Sequence, residues 1–133
     1  MTALPTVAAC QAAIERVLFV HGGESFAYVN TRARTQIILG FPGFTAAYDI
    51  ALPALAEQRF QLTPAGRKRR SQEAAFAEWQ KECLHIWQAI TGLILAKFAA
   101  IDEKLTTIMH EFSLHRVVPA GELLPAEGTA GAS

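Results

Sequence analysis

The longest regular pattern of apolar positions runs from Ser71 to Phe112, a stretch with no proline and a single glycine. Its large apolar residues recur every three or four positions, the period of one face of an α-helix. Thr63-Pro64 reads as an N-cap followed by a first-turn proline, so the predicted helix covers about residues 64–113. The apolar positions are Phe76, Trp79, Cys83, Trp87, Ile90, Ile94, Phe98, Ile101, Leu105, Ile108 and Phe112.

The opposite face of this helix carries small residues at the same three- and four-residue spacing. They are Ala89, Gly92, Ala96 and Ala99, with His85 at one end and Glu103 at the other. Small side chains allow a second helix backbone to approach closely. A helix from Ser71 to Phe112 would also be about 63 Å long, whereas a compact chain of this size has a radius of gyration of about 14 Å. We therefore expect a homo-oligomer, most simply a dimer, whose interface is Ala89, Gly92, Ala96 and Ala99.

Shorter patterns precede the long helix. Pro5 to Val20 is amphipathic at helical spacing and ends at Gly22-Gly23, which predicts a short first helix. Ser25–Asn30 and Thr35–Phe41 are rich in β-branched and aromatic residues and predict a small hairpin near residues 25–41. An alternative interpretation makes Thr31 to Leu39 one short helix.

The middle segment contains a turn and a further apolar pattern. Gly40 to Phe44 has the proline and glycines of a turn, and its two phenylalanines are expected to fold into the core or, alternatively, to form a docking knob. Thr45 to Gln58 is predicted to be helical with an interruption at Pro53. Leu114 to Leu124 is expected to pack back as an extended segment or a turn. Together these patterns predict a mainly α fold, a single domain over residues 1–124 and a disordered tail over 125–133.

Composition supports a folded chain without a membrane span. The 133 residues are 51% hydrophobic and 18% charged, which excludes disorder for most of the chain. The most apolar window, Leu84 to Ile101, contains Lys97, and a lysine that deep in a bilayer is costly. The N-terminus lacks the pattern of a secretory signal. We therefore expect a cytoplasmic protein with no membrane partner, and we expect Cys10 and Cys83 to be buried thiols.

The net charge is zero, but its distribution is uneven. Residues 1–70 contain eight basic and four acidic side chains, for a charge of +4, and residues 71–133 have the reverse, for a charge of −4. Such asymmetry is typical of a nucleic-acid surface or of two complementary halves of a dimer. The alternative for the basic run is a solvated face beside Glu73 and Glu78. The residues predicted to contact nucleic acid or another polyanion are Arg59, Arg67, Lys68, Arg69 and Arg70.

The stretch RFQLTPAGRKRR, Arg59 to Arg70, resembles the junction in winged-helix transcription regulators where the last wing strand runs into a C-terminal dimerisation helix. The resemblance implies a DNA-binding domain upstream and a dimerising helix downstream, with Arg32 and Arg34 joining the basic surface. The long helix fits the downstream part. The segment Thr45–Gln58 departs from the pattern, because it offers mostly alanine and leucine where a recognition helix needs polar side chains.

No motif for catalysis or for a cofactor is present. His21 lies beside two glycines and Glu24, but no nucleophile can be assigned to it. His110 and His115 are five residues apart, whereas two zinc ligands on one helical face need a spacing of three or four. We predict no catalytic, cofactor or metal residues and no small-molecule substrate. The leading hypothesis is a non-enzymatic helical interaction and assembly protein, and the alternative is a winged-helix-like DNA-binding regulator.

Overall fold

In the described part of the chain, the fold combines four strands and four helices. A computed structural model describes residues 4–31, 34–66 and 68–117. A short 3₁₀ turn, Ser113–His115, precedes the last strand. The elements are α1 (Val7–Val20), β1 (Ser25–Asn30), β2 (Arg34–Phe41), β3 (Phe44–Ala51), α2 (Gln58–Gln61), α3 (Gln72–Asp102), α4 (Ile108–Phe112) and β4 (Arg116–Val117).

The strands form one antiparallel sheet in the order β1-β2-β3-β4. Strands β1 and β2 pair from Ser25↔Gly40 to Asn30↔Thr35, which confirms the predicted hairpin. A second tight turn at Pro42-Gly43, where Gly43 adopts a φ of 89° that favours glycine, joins β2 to β3. The two phenylalanines that flank this turn stack on each other with ring centroids 4.9 Å apart. Phe41 is buried in the core and Phe44 packs against it, so the two rings fold inward instead of forming a docking knob.

The mainly α prediction is wrong, because the first half of the segment predicted as a helix at Thr45–Gln58 belongs to the third strand and only its last residue, Gln58, enters the short α2. Side chains in β3 alternate: Ala46, Tyr48 and Ile50 are buried, whereas Asp49 and Ala51 are exposed. This is the period of a half-buried strand. The alanines of the segment favour a helix, and this obscured the alternation of buried and exposed side chains in the sequence. The segment is a strand because β2 pairs with all eight residues of β3. The chain is a mixed α/β protein.

One face of the sheet is covered by α1 and α3. The first helix begins at Val7, where Thr6 Oγ1 accepts a hydrogen bond from the backbone N–H of Ala9 at 3.0 Å. Its inner residues Ile14 and Leu18 are fully buried in the same core as residues of β2, β3, α3 and α4. Both cysteines are buried free thiols, as predicted. The central aromatic contact between the layers joins Phe98 of α3 to Phe41 of β2.

The long helix is shorter than predicted. It begins at Gln72, with Ser71 as its N-cap in place of the predicted Thr63-Pro64 start, runs unbroken through Gly92 and ends at Asp102. The backbone N–H of Leu105 donates to the Ala100 carbonyl and that of Lys104 to the Ile101 carbonyl, both at 3.0 Å. These two bonds make a Schellman end. Lys104 occupies its left-handed position with a φ of 61°. Glycine usually holds this position, so a lysine there does not predict a helix end.

After this break α4 folds back against α3. The side chain of Thr107 caps α4 by accepting from the His110 N–H at 3.1 Å. The ring of Phe112 is fully buried, with its centroid 5.1 Å from that of Phe98. Lys97 Nζ and Glu111 Oε1 are 3.1 Å apart, so an ion pair joins the two helices. Of the segment Leu114–Leu124, which was predicted to pack back as an extended segment or turn, Leu114 lies in the 3₁₀ turn and is 90% exposed, whereas Arg116–Val117 forms β4 and pairs with β3. Residues 118–133, including the predicted tail, lie outside the described ranges.

Helix α3 has the length and composition of a membrane span. An 18-residue window within it has a mean hydropathy of 1.5, and 22% of that window is buried inside the chain. Helices in the core of soluble proteins and signal sequences can have the same character, so these two properties are weak evidence for a span.

The left-handed Lys104 leads to a stability prediction. A non-glycine residue in this conformation costs about 1 kcal/mol. Lys104→Gly should therefore raise the free energy of unfolding by about 0.5–1 kcal/mol, measured by urea denaturation. Lys104→Ala is the control, because it removes the same side chain but keeps the strain. Equal stability of the two variants would contradict the prediction.

Candidate functional site

The small residues of α3 lie on an open surface. Ala89, Gly92, Ala96 and Ala99 are all exposed. Leu93, which borders them, leaves 47% of its surface accessible. We call this surface, completed by His85 and Glu103 at its ends, the small-residue face. The middle of α3 is therefore buried on one side only within a single chain, and the other side presents apolar surface to solvent.

Gly92 lies at the centre of this face with space above it. A Cβ atom built on Gly92 would meet no other atom within 4 Å, apart from the helix's own backbone. Glycine is thus not required by the fold of the single chain. In a helix interior it costs about 1 kcal/mol relative to alanine. The chain carries this cost at the position where a neighbouring backbone could come closest.

The small-residue face has a symmetric order along the helix. Gly92 and Ala96 each lie two residues from Ile94, and Ala89 and Ala99 each lie five residues from it. His85 and Glu103 each lie nine residues away, and both are exposed. At 100° per residue His85 and Glu103 also fall on the same line of the helix surface. A two-fold rotation about an axis through Ile94, perpendicular to the helix, therefore places each small residue at the position of another small residue. It also exchanges His85 with Glu103.

A groove between α1 and α3 continues this surface. It has a volume of about 610 Å³. Its α1 side presents Ala9, Ala12, Ala13 and Val20, and its α3 side presents Leu95. Val20 is 74% exposed. The apolar surface therefore spans two adjacent helices.

A histidine–aspartate pair closes one end of the groove. His21 ends α1, and its Nδ1 lies 2.7 Å from the carbonyl oxygen of Val17. Its Nε2 lies 2.6 Å from Oδ1 of Asp102, the last residue of α3. Both partners accept hydrogen bonds when the aspartate is ionised, so the two contacts are satisfied together only by the protonated imidazole, in which both ring nitrogens donate. The ring also packs against Phe98, with centroids 4.6 Å apart.

The pKa of His21 is raised above its ordinary value of 6.5. Burial lowers this pKa. The hydrogen bond to Val17, the hydrogen bond to Asp102 and the charge of Asp102 together raise it by more than burial lowers it. The two residues are 81 positions apart, and no sequence pattern links them. This pair, which we call the clasp, joins the end of α1 to the end of α3. Among the described residues, no nucleophilic side chain hydrogen-bonds to His21.

Of the residues predicted to contact a polyanion, two form ion pairs with glutamates and two are exposed on a loop. Arg59 Nε lies 2.9 Å from Glu57 Oε1, and Arg70 lies 3.9 Å from Glu78. Lys68 and Arg69 are exposed on a loop closed by an isolated bridge between Leu62 and Arg69. Arg67 and Arg32 lie outside the described residues. Contact with nucleic acid stays a prediction, and β3 now stands where the winged-helix interpretation needs a recognition helix.

The remaining histidines do not gather around a metal site. His110 is exposed on α4, and His115 stacks on Tyr48 with ring centroids 4.1 Å apart. Burial and the charge of Glu111 raise the pKa of Tyr48 to about 12. In the described ranges, no three His, Cys, Asp or Glu side chains are grouped to hold a metal ion.

No protein-family model, curated protein or solved structure matches this chain. The functional argument therefore depends on the geometry of its own surfaces.

The clasp predicts a pH-dependent stability. Because the folded pKa of His21 is raised, its stabilisation is complete below the unfolded pKa and is lost as pH rises through the folded pKa. Asp102 is 61% exposed, and solvent screening limits the pair to about 1 kcal/mol. Asp102→Asn should therefore lower the melting temperature, relative to wild type, by about 4 °C at about pH 5.5 and by less at about pH 9.

Glu15→Gln is the matched control, because Glu15 is an exposed carboxylate of α1 that makes no contact with His21. Its effect should not change with pH over the same range. A pH-independent effect of Asp102→Asn would contradict the protonated clasp.

Proposed function

We propose that this chain is a non-enzymatic assembly module that forms a homodimer through the small-residue face of α3. The observation that carries the proposal is the symmetric order of that face about Ile94. A two-fold interface uses the same patch on both subunits, so it must be complementary to itself. A patch that is symmetric in residue size meets this condition when two copies of α3 pack antiparallel.

The contacts of this dimer follow from the symmetry. Gly92 of each chain faces Ala96 of the other, and Ala89 faces Ala99, which lets the helix axes approach to about 8 Å. At both ends His85 faces Glu103, a pair that fixes the antiparallel orientation by charge. The groove beside α1 receives the flank of the partner helix, and the apolar surface of Leu93 is covered.

Several features support a cytoplasmic dimer over a membrane-embedded one. The inner side of α3 packs Trp87, Ile94 and Phe98 into a core shared with the sheet. Lys97 is engaged with Glu111 of α4. Both cysteines are free thiols, which suits a reducing compartment. The exposed apolar surface of α3 is then explained by a second copy of the chain.

The central prediction concerns Gly92→Leu. The substitution fits the single chain, because a Cβ there meets no other atom outside the helix's own backbone within 4 Å, and leucine favours helix over glycine. It should therefore leave the fold intact and abolish association. Light scattering after size exclusion should give about twice the 14.5 kDa chain mass for wild type and one chain mass for the variant.

Gln80→Leu is the matched control, since it adds the same side chain at an exposed position of α3 outside the small-residue face. It should remain a dimer. A monomeric wild type would overturn the proposal, and a dimeric Gly92→Leu would place the interface elsewhere.

A charge exchange tests the antiparallel orientation. His85→Asp sets two carboxylates against each other at both ends of the interface and should weaken dimerisation about tenfold. Adding Glu103→Lys restores opposite charges and should recover the wild-type dissociation constant, measured by analytical ultracentrifugation. Lack of recovery in the double variant would exclude antiparallel packing about Ile94.

A further inference from the structure

A second cavity lies on the other side of α3, between the helices and the sheet. Its volume is about 370 Å³, within the range of about 300–1,000 Å³ typical of small-molecule sites. Val7 contributes from α1, Leu52 and Pro53 from the segment after β3, and Trp79, Cys83 and Trp87 from α3. We call it the interlayer pocket.

The inner part of the interlayer pocket is apolar and aromatic. The chain has two tryptophans, and both line this pocket. Trp79 Nε1 donates to the Pro53 carbonyl at 2.8 Å, and the Trp87 ring meets Tyr28 edge-on with centroids 6.0 Å apart. Both indoles are therefore held in place before any ligand arrives. Preorganised aromatic surface lowers the entropic cost of binding a flat ring.

The described residues of the pocket rim are polar and uncharged. It presents Gln11, Asn30 and Thr31. Asn30 Oδ1 accepts a hydrogen bond from Thr35 Oγ1 at 2.6 Å, so the amide of Asn30 offers its NH₂ group as donor. Thr35 is 1% exposed, which anchors this arrangement at the edge of the sheet.

The described lining residues include no carboxylate and no basic side chain. The one titratable group is the Cys83 thiol, whose pKa is raised by burial and by the charge of Glu82. The thiol is thus neutral near neutral pH and behaves as a small apolar group. A charged ligand would lose its hydration here without gaining an ion pair.

We propose that the interlayer pocket binds a neutral, flat aromatic molecule of about two fused rings that carries one hydrogen-bonding group. The rings lie against Trp79, Trp87 and Cys83, and the polar group accepts from Asn30 at the rim. This site is independent of the proposed dimer, because the small-residue face lies on the other side of α3. Failure of either proposal leaves the other standing.

The test uses 2-naphthamide as the neutral compound and 2-naphthoate as its charged isostere. In a ¹⁵N–¹H NMR titration, the two indole N–H signals are the reporters because both belong to the pocket. We expect 2-naphthamide to shift both signals to saturation, and 2-naphthoate to bind at least about tenfold more weakly. No saturable shift of either signal, or equal affinity of the two compounds, would overturn the proposal.

Two variants locate the binding site. Asn30→Ala removes the donor at the exposed rim and should weaken 2-naphthamide binding about fivefold. Cys83→Met enlarges a side chain of the pocket floor and should reduce affinity further, while methionine adapts to the core. Gln36→Ala, whose side chain contacts Asp49 and does not line the pocket, is the control and should bind as wild type does. Unchanged affinity in Asn30→Ala would overturn the site whether or not Cys83→Met folds.

Discussion

The burial of Phe98 is the constraint on which the rest of the structure depends. This ring is fully buried and contacts His21 at the end of α1, Phe41 of the sheet and Phe112 of α4. One side chain therefore connects three elements, α1, β2 and α4, to the C-terminal half of α3. A residue of this size, when fully buried, contributes about 2–3 kcal/mol of transfer free energy. Because Phe98 sets the rotation of α3 about its own axis, it also determines which residues of that helix face outward.

The two proposed sites follow from that rotation. With Phe98 and Ile94 turned to the core, Gly92 and Ala96 face solvent on one side, and Trp87 and Cys83 face the gap beside the sheet on the other. The proposed chain–chain contact and the proposed ligand pocket therefore share no side chain of this helix. The ion pair of Lys97 with Glu111 joins α3 to α4 away from the small-residue face.

The elements predicted well from sequence are those whose signals are local. The first helix has a Thr6 cap and a glycine stop, and the hairpin of β1 and β2 has β-branched strands around a polar turn. The four small residues of α3 were identified by spacing, and the structure leaves all four exposed. Each of these predictions needed only a short window of the chain. The function attached to the small residues remains a proposal.

The elements missed are those decided by distant partners. Strand β3 contains alanines that favour a helix in isolation, but hydrogen bonding to β2 makes it a strand. The end of α3 depends on the left-handed backbone conformation of Lys104, which a lysine in the sequence does not predict. The clasp of His21 with Asp102 and the pocket around Trp79 bring together residues from opposite ends of the chain, so neither has a pattern that a linear reading can detect.

The symmetric order of the small-residue face has an evolutionary consequence. In an antiparallel homodimer every position of the face enters the interface twice, so one substitution alters two contacts at once. Its effect on the free energy of association is doubled, and its effect on the association constant is squared. A lineage could therefore gain or lose this assembly by a single codon change at position 92 or 96, while the core that holds Phe98 stays unchanged.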